Sequence, residues 1–375
     1  MKICYLVPKI SVPGSNGGAT HAFESAKALA EQGIEVHMIS KREKGQKEYE
    51  QMKNLHIYRL SFPGYTIKNK ANPALTIPLG FLKGFKIWEK NKFDLILERL
   101  EFTSGAGTLL KKTTKRPLVI EINSPHVEEW IYRGLPQNVG KLFKILENWQ
   151  LRNADLLFGP LNTIVAPPYR DKFKEIEWGV NTELFKPLKK KPNKIALFIG
   201  AMSLWHGVED ILKAAEKYPE ITFVLIGEGP LYKTLKEKSR HLKNVQWLGK
   251  IPYEKVKEHI ASAGVCLAPF TDRKYEPLQR FGFYWSPIKL FEYMSMGKPI
   301  ITTTLAQRII KHNKNGYVIP QNNPEKLGEA VKELLDNPTK CKKLGEQARK
   351  DAENKYSWTQ HAKKLIGYFE EVINE

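Results

Sequence analysis

The amino-acid sequence predicts two doubly wound α/β domains in tandem, each Rossmann-like. Three observations lead there. The chain opens with a short apolar run, a glycine loop, an amphipathic helix pattern and a second apolar run. The same order returns about 190 residues later. Around these two openings, apolar runs of strand length alternate with helical patterns, the mark of a parallel sheet with helices on its faces. A length of 375 residues suits two such domains.

The first unit begins with the strand Lys2 to Pro8 (KICYLVP) and the loop Gly14 to Gly18. A helix with Ala22, Phe23, Ala26, Leu29 and Ala30 on one face follows, with Gly33 as its C-cap, and then the strand Ile34 to Ile39. Further strands are expected at 94–98, 118–122 and 154–158. Charge and prolines in 179–187 and in Lys189–Lys191 mark a connector. The second unit repeats the opening with the strand Lys194 to Gly200, a loop through Gly207, and a helix with Val208, Ile211, Leu212 and Ala215 on one face. The strand Ile221 to Ile226 ends in Gly227-Glu228-Gly229-Pro230, and more strands are expected at 245–248, 264–268 and 299–302. Trp358, His361, Leu365, Ile366, Phe369 and Val372 pattern an amphipathic final helix.

Composition narrows the function. Hydrophobic content of 42% and charged content of 27% exclude a disordered chain. Cys4, Cys266 and Cys341 are too scattered for a disulfide scaffold or a cysteine zinc site, and they fit a reducing cytosol. No uncharged run reaches the roughly 18 residues of a membrane span. The apolar start is too short for a signal-peptide core, so the sequence reads as a cytoplasmic protein. Lys and Arg number 60 against 40 Asp and Glu, a formal +20. The excess is spread evenly, 30 against 19 in residues 1–190 and 30 against 21 after that. It fits a solvated lysine surface, an anionic membrane surface or phosphate-bearing substrates. No motif supports nucleic acid as a partner. The segment from Tyr65 to Lys92 interleaves Ile67, Leu79, Phe81, Leu82, Phe85, Ile87 and Trp88 with six lysines. That mixture suits peripheral contact with anionic lipid, or an ordinary domain helix with a lysine face.

The most informative stretch runs from Ser286 to Pro299 (SPIKLFEYMSMGKP). Ser286 reads as an N-cap with Pro287 at the first helical position. Gly297 and Pro299 end the helix. A helix start is a ready phosphate site, and Lys289 adds a full charge to its first turn. Glu292, one turn deeper, can accept hydrogen bonds from a vicinal diol such as a ribose; the alternative is an ordinary Lys–Glu surface pair. Gly17 and Gly18 would let backbone approach a ligand, or simply make a tight turn. Ser203 and His206 could lie near a phosphate, or His206 could be a packed loop histidine. No dinucleotide fingerprint and no P-loop is present.

Taken together, these motifs resemble those of retaining glycosyltransferases of family 4, which have the GT-B fold. Gly17-Gly18 before the first helix, Gly179-Val180-Asn181 with Phe185-Lys186-Pro187, Trp205-His206-Gly207, Gly227–Pro230 and the 286–299 stretch fall in the family's order. The resemblance implies two Rossmann-like domains facing a central cleft. Residues 1–180 would form the acceptor domain, and the helix 356–375 would pack back on it. Residues 181–355 would bind a nucleoside-diphosphate sugar. The implied donor-binding residues are Gly17, Gly18, Ser203, His206, Ile251, Tyr284, Ser286, Lys289, Leu290 and Glu292, with Glu292 on the ribose and Lys289 near the diphosphate. A glycan or lipid-linked hydroxyl would accept the sugar with retention of configuration, and no metal or cofactor would be needed.

The chain departs from the family pattern in three places. Tyr284 stands where relatives carry a first carboxylate, Ala201 and His206 stand where they carry Arg and Lys, and Asn123 stands where they present an active-site His. Asn123 and the neighbouring His126 are therefore the candidate catalytic positions. Rival readings are a nucleotide-sugar epimerase of similar fold and a non-catalytic sugar-binding scaffold.

Overall fold

The computed structural model describes residues 1–14, 17–62, 73–101, 103–190 and 193–374. The chain divides into two units. The first comprises Met1–Gly179, Tyr284–Ser286 and Trp358–Glu375; the second comprises Val180–Phe283 and Pro287–Ser357. Tyr284–Ser286 therefore sit apart in chain order from the rest of their unit, which a single boundary near residue 180 does not anticipate.

In the first unit the order is β1 (Lys2–Ser11), α1 (Gly17–Glu31), β2 (Glu35–Lys41), β3 (Tyr49–Met52), β4 (Leu55–Leu60), α2 (Pro73–Asn91), β5 (Leu95–Arg99), α3 (Ala106–Thr114) and β6 (Leu118–Glu121). It continues with α4 (His126–Tyr132), α5 (Gln137–Asn153), β7 (Leu156–Gly159) and β8 (Phe173–Glu175). The sheet runs β3-β4-β2-β1-β5-β6-β7-β8. Its pairs are parallel except β3 with β4. Its central strands are buried on both faces, so they read as unbroken apolar runs. The edge strands β3 and β8, and β4 beside β3, escape a sequence search because they are short, or alternate between buried and half-exposed residues.

The second unit holds β9 (Ile195–Ile199), α6 (Val208–Lys217), β10 (Thr222–Ile226), α7 (Tyr232–Lys238), β11 (Val245–Gly249), α8 (Tyr253–Ser262) and β12 (Val265–Ala268). Then come α9 (Glu276–Phe281), α10 (Ile288–Ser295), β13 (Ile300–Thr303), β14 (Tyr317–Ile319), α11 (Pro324–Asp336) and α12 (Pro338–Lys355). Its parallel sheet, β11-β10-β9-β12-β13-β14, reverses direction at β9. In such sheets ligands bind beyond the carboxyl ends of the strands at that reversal.

The final helix α13 (Trp358–Asn374) belongs to the first unit. Trp358, Ala362, Leu365 and Phe369 join the core that Tyr5, Ala22, Ala26 and Leu29 build. Gly179 must be glycine here, because a Cβ would come within 2.7 Å of the Trp358 ring and 2.8 Å of its backbone nitrogen.

A buried carboxylate fixes the start of α3. Glu98, fully buried at the end of β5, accepts from the backbone N–H of Gly105 (2.9 Å) and of Gly107 (3.0 Å). Burial pushes its carboxyl up to about 7, against the pull of those donors. Removing it would orphan two buried N–H groups. Glu98→Ala should lose roughly 1–3 kcal/mol of stability in denaturant titration, and Glu98→Gln, which keeps an acceptor, should lose less. Equal losses would argue against this capping role.

Candidate active site

In the second unit the site is built on α10, at the carboxyl end of β9. Lys289 is the helix's second residue. Its Nζ is buried and has no hydrogen-bond partner among the described residues. It lies 4.2 Å from the centre of the Phe198 ring and 5.4 Å from that of Phe270, so two aromatic faces carry the charge in place of a carboxylate. Gly200 covers it from above: its φ is +150°, and a Cβ there would collide with the ammonium. Burial lowers the Lys289 pKa to about 7, only partly offset by Glu292.

Glu292, one turn on, is 4% exposed. The hydroxyl of Tyr253, the first residue of α8, donates to its Oε1 at 2.8 Å. Burial raises the Glu292 carboxyl to about 7, while Tyr253 and Lys289 pull it down. The surface-pair reading fails, because both polar ends are buried. What remains is a cation and a carboxylate in one helical turn, able to hold an anion and a diol side by side.

The other expected donor residues divide. His206 Nδ1 faces the Ala201 carbonyl, which can only accept, so that nitrogen carries the proton. Burial first, then Lys289, holds the imidazole well below its usual range, and the ring packs against Phe198 and Phe270. A neutral ring with its N–H spent offers a lone pair, not a donor, to a phosphate. His206 is thus a half-buried loop histidine packed on two rings, one of the two readings that the sequence leaves open. Ser203 is buried and lines a hollow of about 30 Å³ with Gly207, Thr271 and Arg273. Ile251 lies between β11 and α8. The side chain of Leu290 is fully buried in the core, and its backbone N–H donates to Pro287, so a direct ligand contact is not what holds it.

Ser286 and Tyr284 also need correction. Pro287, not Ser286, occupies the cap of α10, and no side chain caps it. The Ser286 hydroxyl instead donates to Glu177 Oε2 (2.7 Å) and accepts from the Trp178 N–H (2.7 Å). The fully buried Tyr284 hydroxyl donates to Glu129 Oε1 at 2.6 Å. Both residues are committed to the first unit, where those partners lie.

The first unit gathers a second polar cluster at the carboxyl ends of β5 and β6, where Arg99 and Glu121 are register partners. Glu121 accepts from the Tyr5 hydroxyl (2.7 Å), from Arg99 (3.3 Å) and from the Asn123 amide. His21 Nδ1 lies between the Arg99 guanidinium (3.2 Å) and Glu121 Oε1 (3.1 Å), and the buried His21 Nε2 has no hydrogen-bond partner among the described residues. Burial, then Arg99 and His361, keeps His21 neutral; burial lowers His361 to about 4. His21 stacks on Trp178 at 4.3 Å.

Asn123 is a strut in this cluster. Its Oδ1 accepts from Trp178 Nε1 at 2.9 Å while its amide serves Glu121. Its oxygen and one amide proton are thus engaged inside the cluster, which leaves the second amide proton for the contact with donor or acceptor that the sequence suggests. His126 opens α4 and pairs with Ser124 at 3.3 Å; its Nε2 is buried and without a hydrogen-bond partner among the described residues. Gly17 and Gly18 are the first residues of α1. Sequence reasoning missed Tyr253, His21, Arg99, Glu121 and Trp178. A histidine on the alanine stripe of α1 was the one available signal; the rest depends on strand register. Among the described residues no three His, Cys, Asp or Glu side chains gather as a metal site would need.

The paired burial of Lys289 and Glu292 makes a pH prediction. A lysine whose folded pKa is depressed contributes stability above its unfolded value, and this is lost as pH falls through about 7. A carboxyl whose folded pKa is raised contributes stability at acid pH, and this is lost as pH rises through about 7. Lys289→Met removes the first effect. Between neutrality and pH about 10 the wild type should therefore gain stability relative to Lys289→Met in denaturant titrations. Parallel profiles would contradict a buried cation.

Comparison with known proteins agrees with this architecture. The model described as Glycosyltransferase Family 4 matches residues 15–192, and that described as Glycosyl transferases group 1 matches 180–351. Spore coat protein SA of Bacillus subtilis (strain 168) is 24% identical over 400 aligned positions, covering 99% of each chain. An uncharacterized glycosyltransferase of Methanocaldococcus jannaschii is also 24% identical, over 98% of each chain. Among solved structures, sucrose-phosphate synthase from Thermosynechococcus elongatus superposes with a TM-score of 0.79 at 19% identity, covering 100% of this chain and 99% of that one. Anabaena HepE, solved in complex with UDP-glucose, gives 0.70 at 16% identity, covering 99% and 100%. The fold is the one these structures share, the two family models together span the chain from residue 15 to 351, and the chain belongs to the family 4-like glycosyltransferases of GT-B fold.

Proposed function

We propose that this glycosyltransferase moves a sugar from a nucleoside-diphosphate sugar to a glycan or lipid-linked hydroxyl, with retention of configuration and without a metal ion. The observation that carries the reading is the buried Lys289 ammonium, without a hydrogen-bond partner among the described residues, one turn before Glu292. The binding of UDP-glucose by HepE supports it. In this reading the donor's diphosphate takes the place beside Lys289, and its ribose hydroxyls donate to Glu292, sharing that carboxylate with Tyr253 or displacing it.

The chemistry follows from placement. The bond between the anomeric carbon and the leaving diphosphate oxygen breaks as the acceptor oxygen bonds to the same face of the sugar. The acceptor's proton passes to the departing diphosphate. Lys289 stabilises the charge that develops on that leaving group, the task a metal ion has in other enzymes. On the first unit, His21 and His126 each hold a buried ring nitrogen without a hydrogen-bond partner among the described residues, on the helices that begin beyond the strand ends where an acceptor would be oriented.

Incubation with a panel of nucleoside-diphosphate sugars, scored for free nucleoside diphosphate, tests the donor class. Slow acceptor-free release is expected with one of them; isomerised donor, or binding without turnover, would refute the reading. Calorimetry tests the site. Glu292→Ala should weaken nucleoside diphosphate binding roughly ten-fold to a few hundred-fold, since charge-assisted hydrogen bonds are worth about 1.5–3 kcal/mol each. A 2′,3′-dideoxy nucleotide should lose affinity on the wild type and little more on the variant, because both changes remove one contact. Additive losses would remove Glu292 from the ribose. Product NMR should show the donor's anomeric configuration; an inverted product would overturn retention.

A further inference from the structure

Outside the site, the lysine-rich segment 65–92 divides. Residues 65–72 lie outside the described residues, and α2 keeps Ile87 in the core while exposing Leu82. Among the described residues no helix is long and apolar enough to cross a membrane. A sharper constraint sits beside Glu292, on α8.

Tyr253 opens α8 and is 43% exposed, yet its hydroxyl goes to a carboxylate that is almost fully buried. A partly exposed tyrosine ordinarily turns its apolar body inward and its polar tip to water. Here the polar tip is turned inward. The ring is braced from behind. The fully buried Phe185 ring meets it edge-on, with centroids 5.5 Å apart. Phe185 is anchored in turn, because its carbonyl accepts from the Ser295 hydroxyl (2.6 Å) and from Arg349 (3.1 Å). Ser295 is the last residue of α10, the helix that carries Glu292. The phenol is therefore held against the same helix whose carboxylate it meets.

An ionised carboxylate has about four lone-pair positions over its two oxygens. Tyr253 fills one, on Oε1, and among the described residues no other side chain hydrogen-bonds the group. Capacity remains for both hydroxyls of a vicinal diol. A glutamate held by nothing turns freely about its last bond, since that torsion is broad. The phenol removes this freedom. It also favours the ionised form: burial lifts the carboxyl to about 7, and Tyr253 and then Lys289 hold it down. Elsewhere around α10, the Tyr293 hydroxyl accepts from the Ile199 N–H (2.9 Å), Cys266 on β12 acts on Tyr293, and Arg349 on α12 serves Ser295 and backbone carbonyls.

We propose that Tyr253 is a positioning residue for the donor's ribose: it stays on Oε1 when the nucleotide binds and fixes the plane of the Glu292 carboxylate, so that the remaining lone pairs meet both hydroxyls of the diol. This rests on Glu292 holding the ribose. Tyr253 and the ribose then share one carboxylate, and the tyrosine supports nucleotide affinity where a displaced side chain would oppose it.

Calorimetric titration of wild type and Tyr253→Phe tests it, with UDP, GDP and ADP and with the 2′,3′-dideoxy form of whichever binds best. The variant keeps the ring and its contact with Phe185, so the fold is retained. It should bind the normal nucleotide about two-fold to ten-fold more weakly at neutral pH, the effect of one hydrogen bond of ordinary strength. It should bind the dideoxy form as the wild type does, because without a diol the carboxylate has nothing to meet. The deficit with the normal nucleotide should grow as pH falls from about 8 to about 6, since the variant's carboxyl loses its charge at higher pH. Equal or tighter binding of the normal nucleotide by the variant would overturn the proposal and leave the ribose reading standing; the tyrosine would then be a plug that the ribose displaces. Equal losses with both nucleotides would also overturn it, making Tyr253 a prop for α8 alone. A wild type that binds both forms alike would remove Glu292 from the ribose, and the tyrosine's role with it.

Discussion

A buried ammonium without a hydrogen-bond partner among the described residues organises the second unit. Lys289 could have been paired, because Glu292 is only one turn away, yet the carboxylate is engaged by Tyr253 and the ammonium by two aromatic faces. Isolated buried charge is costly, and a fold that only needed stability would replace it. At the sheet reversal by β9, Gly200 lets the backbone pass close over that ammonium, where a Cβ would collide with it. An anionic ligand is the simplest partner for such a site. The same burial that destabilises the empty protein strengthens its hold on a diphosphate, because charges attract more strongly where water is excluded.

The first unit handles charge differently. Glu121 and Arg99 are both buried, but each has several partners, and Asn123 and Trp178 tie the cluster to α1 through His21. Burial opposes the Arg99 charge, and Glu121 and Glu101 outweigh it. This is a densely connected network, but His21 Nε2, His361 Nε2 and Arg99 Nε are buried in it without a hydrogen-bond partner among the described residues. Asn123 contributes as part of that scaffold.

Much of the architecture was legible in the sequence because parallel strands buried on both faces leave unbroken apolar runs, as in β1, β5, β6 and β9. β14 and the three missed strands of the first sheet have only three to six residues, too few for a periodic pattern to show. Lys289 and Glu292 could be picked out because both lie within one helical turn, where spacing alone sets geometry. Tyr253, 39 residues from Glu292, could not, and neither could Tyr284's bond to Glu129 across 155 residues. Ser286 shows the limit of local rules: a serine before proline is a good cap in isolation, but Glu177 and Trp178 compete for its hydroxyl and win.

The central claim is that the Lys289 ammonium awaits a diphosphate. Lysine side-chain NMR on the selectively labelled protein, titrated with and without a nucleoside diphosphate, reads it directly. The account predicts a Lys289 pKa near 7 in the empty protein, raised by about two units or more when the nucleotide binds, since an adjacent anion favours the charged form. An ordinary lysine pKa in the empty protein, or one that nucleotide leaves unchanged, would contradict it.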